Sequence, residues 1–158
     1  MQRFLTLALA ALAITSATVA FAADNSVGTW KLNLAKSKYS PGPLPVKSLN
    51  ATREADGDGV KVTTTGERAD GSAINATYTA KFDGSPASVS GQGAPYDTIS
   101  LKQVNANTFT YETKNSANKY HASGRLTVSA DGKTLTTKAK GTDAEGKPIS
   151  VTLVYDKQ

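Results

Sequence analysis

The sequence has 158 residues, with 18 Lys and Arg against 13 Asp and Glu, one His and no Cys. That length supports one core or one barrel rather than two domains. The missing cysteines exclude disulfide scaffolds, zinc–thiolate centres, Cys nucleophiles and a lipid-modified N-terminal Cys.

The chain opens with Arg3 as the only charged side chain of its first 22 residues, followed by an apolar stretch from Phe4 to Ile14 and then by Ala20-Phe21-Ala22. A basic start, a short apolar stretch and an A-x-A site are the parts of a secretory signal. The stretch is shorter than the roughly 20 residues a membrane span needs. Residues 1–22 are therefore expected to be a signal peptide, cut at Ala22 or Ala23, with a retained anchor helix as the alternative. Residues 23–158 are the mature domain, expected in a bacterial periplasm or outside the cell. About a third of those residues are apolar, but they fall in regular short runs rather than in the pattern of a disordered chain.

Ten strands are predicted, near 27–33, 46–55, 59–68, 73–82, 86–91, 97–104, 108–115, 119–129, 133–141 and 147–156. Apolar residues alternate with polar ones in these runs, as in Ile74, Ala76, Tyr78, Ala80 and Phe82 against Asn75, Thr77, Thr79 and Lys81. Asp-Gly pairs at 56–57, 58–59, 70–71, 83–84 and 131–132 supply the positive φ that tight hairpins need. No segment of the mature chain has a helical period. The one irregular stretch, residues 36–45, holds three prolines and is read as a long connection. Within it Tyr39 and Leu44 are candidates for a lid over an open mouth, the alternative being a surface crossover closing one end.

Hairpin-linked strands with one apolar face each predict an all-β, antiparallel up-and-down meander of about 8–10 strands. Closure into a barrel removes its free edges; a flattened sandwich is the alternative. The outward residues include Lys61, Lys81, Lys102, Glu112 and Lys138, whereas a lipid-embedded barrel needs an apolar outer face. The mature domain is therefore expected not to insert in a membrane.

Val27-Gly28-Thr29-Trp30-Lys31-Leu32 places a Gly-x-Trp at the start of the first strand, ahead of a long loop and a meander. In this the chain resembles the calycin group, specifically poorly characterised bacterial secreted lipocalin-like proteins. The resemblance implies that Trp30 plugs one end of the barrel, that Gly28 belongs to the same structural motif, and that a basic residue from a late strand packs across the indole. Arg125 is the candidate for that residue, through a cation–π contact of roughly 0.5–2 kcal/mol.

Little in the sequence points to chemistry. His121 is the only imidazole, and its neighbours Tyr120 and Ala122 share the face of Leu126 and Val128, so it is expected on the outer face. No Gly-x-Ser-x-Gly is present, and the carboxylates cluster at turns. The chain is expected to be no enzyme and to need no metal or cofactor. The lysines are spread singly, without a basic cluster or interleaved aromatics, which argues against nucleic acid. The inner face alternates small residues with Tyr78, Phe82, Tyr111 and Leu126. Together with Trp30, Phe109 and Tyr155, these are the residues expected to line or close an apolar pocket for a small apolar or amphipathic ligand. The alternative is a filled barrel serving as an envelope or extracellular interaction module.

Overall fold

Twelve short strands account for most of residues 23–158, the part of the chain that the computed structural model describes. The expected signal segment, 1–22, lies outside the described residues. The strands are β1 (Gly28–Leu32), β2 (Lys38–Ser40), β3 (Val46–Asp56), β4 (Gly59–Arg68), β5 (Ala73–Lys81) and β6 (Asp83–Ser88) in the first half. The second half supplies β7 (Ser90–Gln92), β8 (Thr98–Asn105), β9 (Thr108–Lys114), β10 (His121–Val128), β11 (Thr134–Thr142) and β12 (Pro148–Lys157). A 3-10 turn at Leu34–Lys36 is the one helical element among the described residues.

All pairings are antiparallel, in the order β6-β8-β9-β10-β11-β12-β1-β3-β4-β5-β7, with β2 also on β12. The two ends of this path, β6 and β7, are consecutive in the chain and separated only by Val89, so the sheet curls round on itself. Lys38–Ser40 pairs with Thr152–Ser150 beside the stretch of β12 that pairs with β1, so β1 and β2 form one stave interrupted by the 3-10 turn. In the same way β6 and β7 form one stave, holding β8 with its first half and β5 with its second. Ten staves result, each next to its neighbour in sequence, in a nearly closed up-and-down barrel. The seam at β5–β6–β7–β8 is the weakest, because neither neighbour is paired along its whole length.

The sequence periodicity explains the wall. Along β10, Ala122, Leu126 and Val128 are buried while His121, Ser123, Arg125 and Thr127 are exposed; along β5, Ile74, Ala76 and Ala80 are buried and Asn75, Thr79 and Lys81 exposed. The outer wall is thus polar and rich in Lys and Thr, and the inner wall apolar. Turn chemistry sets the register: Gly57, at φ +56°, makes the tight reversal between β3 and β4 that Asp-Gly announces.

The barrel has two unlike ends. At the closed end Trp30, Val60, Leu101 and Phe109 are fully buried and Phe82 packs on Phe109 with ring centroids 5.1 Å apart. The segment before β1 crosses beneath them and is anchored by Asn25 N–H donating to the Ala106 carbonyl at 3.0 Å. At the other end the hairpins around residues 68–73, 93–97, 115–120 and 142–147 leave an opening.

The candidate ligand cavity

A cavity of about 680 Å³ runs from that opening toward Trp30. Its apolar wall includes Val62, Ile74, Ile99, Leu101, Leu126 and Leu135, with Ala76, Ala122 and Ala139 as the small residues that make room. Tyrosine supplies much of the polarity: Tyr78, Tyr96, Tyr111, Tyr120 and Tyr155 all face it. Alternation on strands of bulky and small inward side chains leaves this space, because the bulky layer that fills a small barrel is concentrated near the Trp30 end.

Tyr96, Tyr111, Tyr120 and Tyr155 hold their protons beyond the usual phenol range. Burial raises the pKa of Tyr111 to about 12, against the opposing effect of a hydrogen bond with Thr137. Burial likewise pushes Tyr96 well up and raises Tyr120 and Tyr155. In this apolar wall they act as neutral hydroxyls that orient a guest.

The closed end is more polar than its aromatic plug suggests. Trp30 Nε1–H donates to the Ser26 carbonyl at 2.8 Å, and Ser26 is itself fully buried. Arg53, 4% exposed, donates from Nε to Ser26 Oγ at 2.9 Å. Ser26 in turn donates from its backbone N–H to Asp24 Oδ1 at 2.8 Å and from its hydroxyl to the same oxygen at 2.5 Å. The Lys157 ammonium lies 5.2 Å from the Trp30 ring centroid. Gly28 permits that contact: a Cβ there would lie 2.9 Å from Lys157 Cε, and its backbone has φ +135°.

At the opening, Tyr96 and Tyr120 stack with centroids 6.2 Å apart and rings inclined by 26°. Asp97 accepts hydrogen bonds from the Ser116 N–H, at 2.9 Å, and from its hydroxyl, joining two rim hairpins. Arg68 donates to the Gly93 carbonyl at 2.6 Å and ties β4 to the loop before β8. Asp143 and Glu145 complete the charged part of the rim.

Of the residues expected from sequence to form the pocket, the structure brings Trp30, Tyr78, Tyr111, Leu126 and Tyr155 into one cavity wall. Phe82 and Phe109 point inward but lie below the cavity, packed on each other at the closed end. Tyr39 stands in β2, hydrogen-bonded to β12, and lines the cavity as part of the wall rather than as a lid. Leu44 is half-buried and does not reach the cavity wall. Arg125 does not pack across Trp30: it is exposed on the outer face of β10, with Thr127 and Lys138 beside it, and Lys157 takes the place over the indole. His121 is exposed at the start of β10.

Arg53, Arg68 and Tyr96 also line the cavity and are not among the residues expected from sequence. Arg53 had a signal, since it shares its strand face with Leu49 and Ala51. Tyr96 had none, because it comes from the loop before β8 and no period governs a loop.

No known family model matches the sequence, and no curated protein matches it. Among solved structures, EF1p2_mFAP2b bound to DFHBI superposes with a TM-score of 0.51 at 11% identity, covering 85% of this chain and 94% of that one. A redesigned β-barrel, mFAP1, bound to DFHBI, gives a TM-score of 0.42 at 15% identity over 82% and 94% of the two chains. The chain is a nearly closed, antiparallel up-and-down β-barrel. That assignment is one of fold, carried by the strand order and the first of these likenesses.

Proposed function

We propose that this protein is a secreted or periplasmic, non-catalytic carrier of a small apolar or amphipathic molecule. The cavity carries the reading. Ligand pockets span roughly 300–1,000 Å³ and are mostly apolar with a few placed polar groups; here about 680 Å³ is lined by aliphatic residues and tyrosines. The barrel of EF1p2_mFAP2b, of the same fold, is bound to DFHBI, so this architecture accommodates a small guest. The sequence motif of residues 1–22 is the support for export.

The test is titration with the neutral fluorophore N-phenyl-1-naphthylamine. Trp30 is the single tryptophan and stands in the cavity wall, so a guest inside should draw its emission by energy transfer. Saturable one-to-one binding with quenching of Trp30 is expected. Emission unchanged through the titration contradicts the carrier reading.

A second reading, an interaction module using the outer surface, has one observation in its favour. Arg125 and Lys138 are directly opposed across β10 and β11, and no carboxylate forms a salt bridge with either among the described residues. Like charges so placed are destabilising, and an anionic partner would relieve them. Arg125→Glu should then abolish retention on an anionic polymer while leaving naphthylamine binding intact.

A further inference from the structure

Arg53 is the charged side chain that reaches the depth of the cavity. It lies on β3 opposite Val62 and Gly28, on the face shared with Leu49 and Ala51, and it lines the cavity beside Trp30 and Tyr155. The other charged residues of the wall, Arg68, Asp143 and Glu145, belong to the hairpins of the opening. Of the Arg53 guanidinium, Nε is satisfied by Ser26 Oγ, whereas Nη2 is buried without a hydrogen-bond partner.

A buried cation with an unused donor is an expensive arrangement unless something supplies the missing acceptor. Asp24 does not do so. Its Oδ1 accepts from Ser26, its Oδ2 is also buried without a partner, and it forms no ion pair with Arg53. The Ser26 hydroxyl stands between them and relays the charge at one remove. One end of the fork is fixed by Ser26, and the barrel wall surrounds the rest.

We infer that the carried molecule is a monoanion with an apolar body, inserted with its carboxylate-type oxygen end toward the floor of the barrel, where Arg53 receives it. This rests on the carrier reading and deepens it. Arg53 is then the residue that decides specificity, since a planar guanidinium favours an oxyanion and repels an amine. Tyr155 is near enough for the Arg53 charge to act on its phenol, and it offers a neutral hydroxyl at the same depth. The apolar body would extend past Tyr111 and Leu126 toward Tyr96 at the opening.

The test is displacement of N-phenyl-1-naphthylamine by three probes with the same chain: dodecanoate, dodecanol and dodecylamine. Dodecanoate should compete about tenfold or more better than dodecanol, as a charge-assisted contact implies, and dodecylamine should be the weakest. In Arg53→Met, whose fold is checked by circular dichroism, dodecanol should compete as before while the advantage of dodecanoate disappears. Equal competition by dodecanoate and dodecanol in the unaltered protein, or a dodecanoate advantage that survives in Arg53→Met, overturns the inference alone and leaves the carrier reading standing. Failure of the naphthylamine itself to bind overturns both. Should Arg53→Met not fold, the ranking of the three probes on the unaltered protein decides.

Discussion

Ala76 and Ala80 lie four residues apart on the same face of β5, roughly 13 Å along an extended strand. Both are buried, yet Ala76 faces the cavity and Ala80 sits in the packed core cluster. Replacing each by Leu therefore asks one strand two questions. Leu adds three carbon groups to Ala. At about 0.8 kcal/mol for each buried group, the gain is at most about 2.4 kcal/mol, and loss of rotamer freedom takes back about 0.5–1 kcal/mol. Ala76→Leu, with empty space to enter, should be stabilising by about 1–2 kcal/mol. Ala80→Leu has no such space, and overpacking a filled core is destabilising by about 1–3 kcal/mol. At on the order of 4 °C per kcal/mol for a domain of this size, the two variants should melt on opposite sides of the parent protein by far-UV circular dichroism. Ala76→Leu should also weaken naphthylamine binding by taking its room. If Ala76→Leu is destabilised as much as Ala80→Leu, the interior is packed along its whole length and there is no cavity to carry anything.

Two further predictions concern the closed end and the tyrosines. Trp30→Ala should be destabilising by about 3–5 kcal/mol, whereas Trp30→Phe keeps a ring and loses chiefly the bond to the Ser26 carbonyl, at about 1–3 kcal/mol for the acceptor left unpaired. Chemical denaturation followed by circular dichroism measures both, since each variant removes the only tryptophan; a loss below about 1 kcal/mol for Trp30→Ala would show that the indole plugs nothing. The buried phenols make the fold sensitive to alkali. Their folded pKa values are raised above the unfolded value of about 10, so their contribution is complete below about pH 10 and is lost as pH rises through the folded values, about 12 for Tyr111. Tyrosinate absorbance should accordingly lag behind that of free tyrosine and rise together with loss of the β-sheet signal, and a reversible titration complete near pH 10 with the fold intact contradicts the burial.

The fold was legible because each stave is a short amphipathic strand bounded by a turn with its own chemistry. The expected run at 59–68 coincides with β4, and those at 46–55 and 147–156 differ from β3 and β12 by a residue at the ends. Period two reports which side of the wall a side chain faces, and it did so for Tyr78, Tyr111, Leu126 and Tyr155. It does not report height along the barrel axis, which is why the pocket expected from sequence includes Phe82 and Phe109 although they fill the closed end. The same period held the evidence against Arg125: with Ala122, Leu126 and Val128 inward, residue 125 must face out. By that rule Lys157 falls on the face of Tyr155 at the end of β12, where its long stem reaches across Gly28 to Trp30. The three prolines after Ser40 concealed β2, whose three residues are too few to show a period. Tyr96 and the rim hairpins are set by long-range contacts between loops, and no local pattern announces those.

The most direct measurement is native mass spectrometry of the protein purified from the cells or medium that produce it, beside a solvent extract of the same sample. A carrier should show a discrete one-to-one adduct, released into the extract as a small molecule with an apolar body. A clean mass of the protein alone, in a sample that also fails to bind naphthylamine, contradicts carriage and leaves the outer surface of β10 and β11 as the working face.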